Sequence, residues 1–124
     1  MDNVIFSYTR QDAINDGIFI DVSEMAKEAG FKIPVAITSN LYHTHIVPSE
    51  DAKTYGQDEK GRLWDVLHML SVMARHSKDS MITFSVRFQN GPHSSETPKL
   101  WAVVEAQSPD DPSPAINIML PEDY

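Results

Sequence analysis

One stripe of apolar side chains limits what this chain can fold into. Within Gly56–His76, Leu63, Val66, Leu67, Leu70 and Met73 recur at i, i+3, i+4, i+7 and i+10, which draws one face of an α-helix. Trp64 and Met69 widen the stripe, so this helix is expected to have apolar neighbours on more than one side. A lone amphipathic helix cannot bury its own stripe. It needs a sheet or other helices, and strand-like runs follow it directly.

After His76 the period shortens to two. Ile82, Phe84, Val86 and Phe88 alternate with Met81, Thr83, Ser85 and Arg87, the pattern of one half-buried strand. Asn90-Gly91-Pro92 breaks it, and the polar run to Pro98 reads as a long connection. A second strand is predicted over Lys99–Ala106, with Leu100, Ala102 and Val104 on one face and Trp101, Val103 and Glu105 on the other. Ser108–Pro114 holds three prolines and two aspartates and reads as a loop. Ala115–Leu120 is the third strand.

Ahead of the helix the elements are shorter. Val4-Ile5-Phe6 suits an edge strand or a docked arm. Thr9 can cap a short helix that Gly17 ends, and Ile18–Ile20 is a brief extended piece. Asp21 and Glu24 have capping-box spacing, which opens a helix that Gly30 stops. Val35–Ile37 is a short apolar run. Leu41–Val47 fits a helix ended by Pro48, with a strand as the alternative, and Ser49–Lys60 reads as a loop or as the entry to the central helix, with Asp58 or Gln57 near its cap. Helices first and strands last predict one α+β domain over residues 1–124: an antiparallel three- to four-stranded sheet packed by a central amphipathic helix, with short N-terminal helices.

Composition narrows the function classes. The 124 residues contain no cysteine, which removes disulfides and thiolate metal sites and fits a reducing cytoplasm. No apolar run approaches the roughly 20 residues of a membrane span, and the N-terminus lacks the features of a secretory signal. Eighteen acidic residues oppose ten basic ones, for a net charge of −8. That weighs against direct nucleic-acid binding, which wants Lys and Arg clusters, and favours a protein partner with a basic surface. After Lys99 there is no basic residue, while Glu105, Asp110, Asp111, Glu122 and Asp123 follow. Asp110, Asp111, Glu122 and Asp123 are therefore candidate interaction residues. Trp101 joins them as an exposed aromatic anchor and the centre of a homodimer interface, with a place in the core as the alternative.

The catalytic alternatives are thinner. His43 and His45 would share one side of a strand but lie about 200° apart on a helix. On a strand they make, with Asp51 or Glu50, two imidazoles and a carboxylate, a ligand set that fits a metal-assisted hydrolase. Asp65 and His68 are helical neighbours able to pair, but no nucleophile turn of the Gly-x-Ser-x-Gly type accompanies them. Gly56 and Gly61 frame a loop without the Lys and Ser/Thr of a phosphate loop. No cofactor is expected.

Two blocks carry a resemblance. One is Tyr8-Thr9-Arg10 with Ala13-Ile14-x-Asp16-Gly17-Ile18-x-Ile20-Asp21-Val22-Ser23, followed by Ala26-x-Glu28-Ala29-Gly30-Phe31 and Pro34-Val35-Ala36. The other is Gly56-Gln57-Asp58-Glu59-x-Gly61-Arg62-Leu63-Trp64-Asp65-Val66-Leu67. With Ile116–Pro121, the chain resembles a family of small bacterial proteins of plasmids and phages, labelled "plasmid-related", a domain of unknown function with no assigned catalytic residues. The resemblance implies a cytoplasmic mobile-element protein and carries over no site. Together with the charge it predicts a non-enzymatic regulator or inhibitor that binds a macromolecule; the metal-assisted hydrolase is the alternative.

Overall fold

The computed structural model describes residues 8–124, so the arm or edge strand expected at Val4–Phe6 lies outside the described residues. Thr9 starts the first helix, α1 (Arg10–Asn15), through a reciprocal box. Its hydroxyl accepts from the Asp12 amide, and the Asp12 carboxylate accepts from the Thr9 amide. Gly17, at φ 79°, turns the chain into β1 (Phe19–Asp21).

Helix α2 (Ser23–Glu28) starts differently from the sequence expectation. Asp21 does not box with Glu24; its Oδ1 accepts from the Ser23 amide at 3.0 Å and the Ser23 hydroxyl at 2.6 Å, and Val22 is the cap residue. An Asp so close to a serine is satisfied locally before it can reach the third residue of the helix. Strand β2 (Val35–Thr38) runs into α3 (Ser39–Leu41), capped by Thr38, and then into one π-helical turn, Tyr42–Ile46. Leu41–Ile46 is thus helical, the first of the two readings. The expected loop over Ser49–Lys60 contains α4 (Glu50–Thr54), which begins where the Ser49 hydroxyl accepts from the Ala52 amide at 3.1 Å.

The longest helix, α5 (Glu59–Ala74), is capped by Asp58, whose Oδ1 accepts from the Gly61 amide at 2.7 Å. Leu63, Val66, Leu67 and Leu70 are buried in one cluster with Val35, Ile37, Phe84, Leu100, Ile116 and Ile118. Trp64, Met69 and Met73 do not belong to that cluster: each is more than a third exposed. The apolar stripe is therefore narrower than the sequence suggested.

The remaining strands are β3 (Met81–Ser85), β4 (Phe88–Gly91), β5 (Ser94–Glu96), β6 (Lys99–Ser108) and β7 (Asp111–Met119). The main sheet has five strands, not three or four, in the order β1-β2-β7-β6-β3. It is mostly antiparallel, with one parallel pair, β2 on β7. The expected single strand over Ile82–Phe88 splits after Ser85, and β4 pairs with β5 as a separate hairpin inside the expected connection. The expected loop over Ser108–Pro114 shrinks to a turn at Pro109–Asp110, and β7 begins at Asp111. Pro112 and Pro114 are tolerated because β2 pairs only with Ile116–Ile118, which leaves residues 111–114 bonded on one side.

Side chains alternate across the sheet. Ile116 and Ile118 join the core beneath α5, while Ala115, Asn117 and Met119 are buried on the opposite face, where α1 lies against β1 and β6. Among the described residues no helix is long and apolar enough to cross a membrane.

Candidate binding cleft

The second face of the sheet is where polar groups converge. α1, the start of α3 and the β6–β7 hairpin enclose a cleft of about 710 Å³. Ala13, Ile18, Phe19 and Pro109 give it apolar walls; Arg10 and Glu105 face Thr38, Asn40 and Asp123 across it.

The β7 pleat turns Asn117 toward α1, and a polar chain follows. Arg10 Nε donates to Asn117 Oδ1 at 2.8 Å, and Asn117 Nδ2 donates to Glu105 Oε1 at 2.5 Å. Asn117 is fully buried, so both ends of its amide are satisfied inside the protein, as a buried amide requires. Arg10 Nη2 is closed off from solvent and has no hydrogen-bond partner among the described residues. Burial pushes the Arg10 pKa down, opposed by the nearby carboxylates of Asp21 and Glu105. A guanidinium starts so high that it remains a cation.

The opposite side is built by the last turn of the chain. A 3₁₀ turn at Pro121–Asp123 swings the Asp123 carboxylate back onto the start of α3. Its Oδ2 accepts from the Thr38 hydroxyl at 2.8 Å and the Leu120 amide at 3.1 Å, and its Oδ1 accepts from Asn40 Nδ2 at 2.9 Å. Thr38 in turn accepts from the Leu41 amide, so the helix cap and the chain end form one unit. At the rim Tyr8 donates to Asp16 at 2.7 Å, and that bond, with a smaller contribution from burial, pushes its phenol up to about 12. The lining holds carboxylates, amides, hydroxyls and one guanidinium, but no imidazole. Such a set can bind and orient a ligand.

The residues singled out from sequence fall in three places. Asp123 lines the cleft, and Asp110 and Asp111 follow the lining residue Pro109 on the hairpin, both exposed. Asp111 Oδ1 accepts from the amide and hydroxyl of Ser113, which lowers its pKa. Glu122 is exposed on the 3₁₀ turn, outside the lining. Trp101 is half-buried and meets the Tyr124 ring edge-on at 5.4 Å, with its Nε1 buried and unbonded among the described residues.

His43, His45 and Asp51 lie elsewhere. The π-helical turn replaces the strand on which both imidazoles would share a side. His43 is exposed and edge-on to Tyr42, while His45 stacks on Phe88 with its Nδ1 2.8 Å from Glu96 Oε1. Asp51 is exposed on α4, and among the described residues no three His, Asp or Glu side chains are grouped to hold a metal ion. His68 stacks on Trp64 with ring centres 6.0 Å apart, in place of the expected pairing with Asp65.

Sequence reasoning passed over two polar clusters. One is Arg10–Asn117–Glu105, signalled by a lone asparagine inside the apolar run Ala115–Leu120. The other is Arg62, only 2% exposed. Its guanidinium donates to the main-chain oxygens of His45 and Gln89, each at 2.7 Å, to Asn90 Oδ1 at 3.0 Å and to Gln57 Oε1 at 3.2 Å, and it lies 5.2 Å from the Phe88 ring centre. It ties α5 to the π-helical turn and to β4. The signal was an arginine one position from Leu63 in the helical stripe.

A protein-family model described as a family of unknown function (DUF6573) matches residues 1–124. No curated protein and no solved structure matches the chain.

Proposed function

Since the chain belongs to the DUF6573 family, a family of unknown function, we propose its role from its own geometry: a non-enzymatic protein that binds a macromolecular partner through the cleft between α1, α3 and the β6–β7 hairpin. The observation that carries this reading is the cleft itself. It joins an apolar wall to fixed polar groups, which is how binding sites combine affinity with orientation. Among the described residues its lining lacks an imidazole, and its half-buried arginine is bonded to the buried amide of Asn117 beneath it. The net charge of −8 supports a regulator or inhibitor with an acidic surface, and the resemblance to plasmid and phage proteins fits such a role.

The test is affinity capture from lysate with a cleft-filling variant. Gln107 lines the cleft and bonds Ser113 on the same side of the hairpin as Glu105, so Gln107→Trp fills the cleft without touching the core. Met69→Trp on the outer side of α5 is the control. Partners retained by the wild type and Met69→Trp but lost with Gln107→Trp support the reading. Identical partners on all three proteins contradict it.

A further inference from the structure

The rim charges say what kind of partner the cleft takes. Asp16, Glu105, Asp110, Asp111 and Asp123 line or flank it, and Arg10 is the basic residue of the lining. Most of these groups are already engaged. Arg10 Nε is held by Asn117 and its Nη2 is closed off from solvent. Asp123 accepts three hydrogen bonds, and Asp16 accepts from Tyr8.

Glu105 is different. Asn117 holds its Oε1 alone, the residue is exposed, and Oε2 has no partner among the described residues. Its position in the cleft is therefore fixed through one oxygen, while the other is open among the described residues. In the same lining, Ile18 is 52% exposed, and Phe19 and Pro109 continue an apolar wall. A cleft that holds a carboxylate open on one side and an apolar wall on another suits a basic segment of chain: its cation makes a charge-assisted bond while neighbouring residues pack on the wall. In a chain of charge −8, long-range attraction favours the same occupant.

We propose that the cleft docks a basic segment of a partner protein, the cation of one Lys or Arg meeting Glu105 and other residues of the same segment lying against Ile18 and Phe19. The proposal rests on the cleft being the binding site. It is tested by calorimetric titration of the full chain with a short oligolysine, an oligoglutamate and an uncharged Gly-Ser peptide, at about 0.15 M salt so that diffuse attraction is screened. Oligolysine is expected to bind at one site. Glu105→Lys and Gln107→Trp should each weaken it about tenfold or more, Glu105→Gln should weaken it less, and Met69→Trp should leave it unchanged. Glu105 is exposed and Gln107 half-buried, and unfolding midpoints equal to that of the wild type confirm that the variants fold.

Oligolysine bound in several copies, or equally well by Glu105→Lys, overturns the proposal. Tighter binding of the neutral or acidic peptide, lost in Gln107→Trp, overturns the basic partner and leaves the cleft as the site. No peptide binding at all overturns it too, and the capture experiment with Gln107→Trp then decides separately whether the cleft binds anything.

Discussion

Arg62 gives the sharpest test of how this fold is held together. It is a buried cation with no carboxylate bonded to it among the described residues, held by two main-chain oxygens, an asparagine, a glutamine and an aromatic face. Arg62→Met keeps most of the stem volume and removes every donor. The oxygens of His45 and Gln89 then lose their partner, at about 1–3 kcal/mol each if neither is rehydrated. The gross cost is about 2–6 kcal/mol, reduced because a buried guanidinium no longer has to be desolvated. A net loss of about 2–4 kcal/mol is expected, a large share of the ~5–15 kcal/mol that a domain has. Arg62→Lys should cost at least as much, because its ammonium stays buried without the planar fork that reaches four acceptors. Urea unfolding followed by circular dichroism measures both, with the slope unchanged and the midpoint lowered. Hydrogen exchange should show β4 and β5 opening first, since a two-stranded hairpin is marginal by itself. A loss below about 0.5 kcal/mol for Arg62→Met, the range of an ordinary surface change, would refute the reasoning.

Other perturbations test other joints of the account. Leu70→Ala empties a fully buried site beneath α5 and should cost about 2–5 kcal/mol in the same assay. Asp58→Ala removes the cap of α5 and should cost about 1 kcal/mol. Asp123→Ala leaves the Thr38 hydroxyl and the Leu120 amide without their acceptor; about 1–3 kcal/mol is expected, with amide chemical shifts changing at Thr38–Leu41. Tyr8 and Tyr42 are both pushed up to about 12, Tyr8 chiefly by its bond to Asp16 and Tyr42 chiefly by burial and then by its bond to Glu59. A raised folded-state pKa means that their contribution is complete below the ordinary phenol value of about 10 and is lost as pH rises toward 12. Phenolate absorbance should show a late phase that shrinks in both Tyr8→Phe and Tyr42→Phe. Asp12 has the opposite sign: the bonds from the Thr9 amide and hydroxyl lower its pKa, so its contribution is present above about pH 4 and disappears as pH falls through the folded value. Thr9→Ala should flatten that acid limb in unfolding measured against pH.

What could be read from the sequence follows from how far each pattern reaches. The helix over Glu59–Ala74 and strand β6 were legible because one is buried on a single stripe and the other alternates. Strand β2 gave no alternation because all four of its residues are buried, as happens when both faces of a strand are covered. Trp64 misled the reading, since its size suggested core while its position on α5 turns it outward against His68. The break between β3 and β4 was hidden because Val86 and Phe88 stay buried on either side of it, so the alternation runs unbroken through a change of sheet. In the cleft, Asp123 was legible as an acid of the tail but not as the partner of Thr38, 85 positions away. Arg10 and Asn117 are 107 positions apart, and no local pattern joins them. Only the parallel placement of β2 beside β7 brings these groups to one site.

Amide chemical-shift mapping with the captured partner shows whether the cleft is the binding site. The largest shifts are expected at Ala13, Phe19, Ser39, Ala106 and Ser108, around the cleft. Shifts concentrated on the outer side of α5, at Trp64, His68 and Met69, with the cleft amides unmoved, would contradict it.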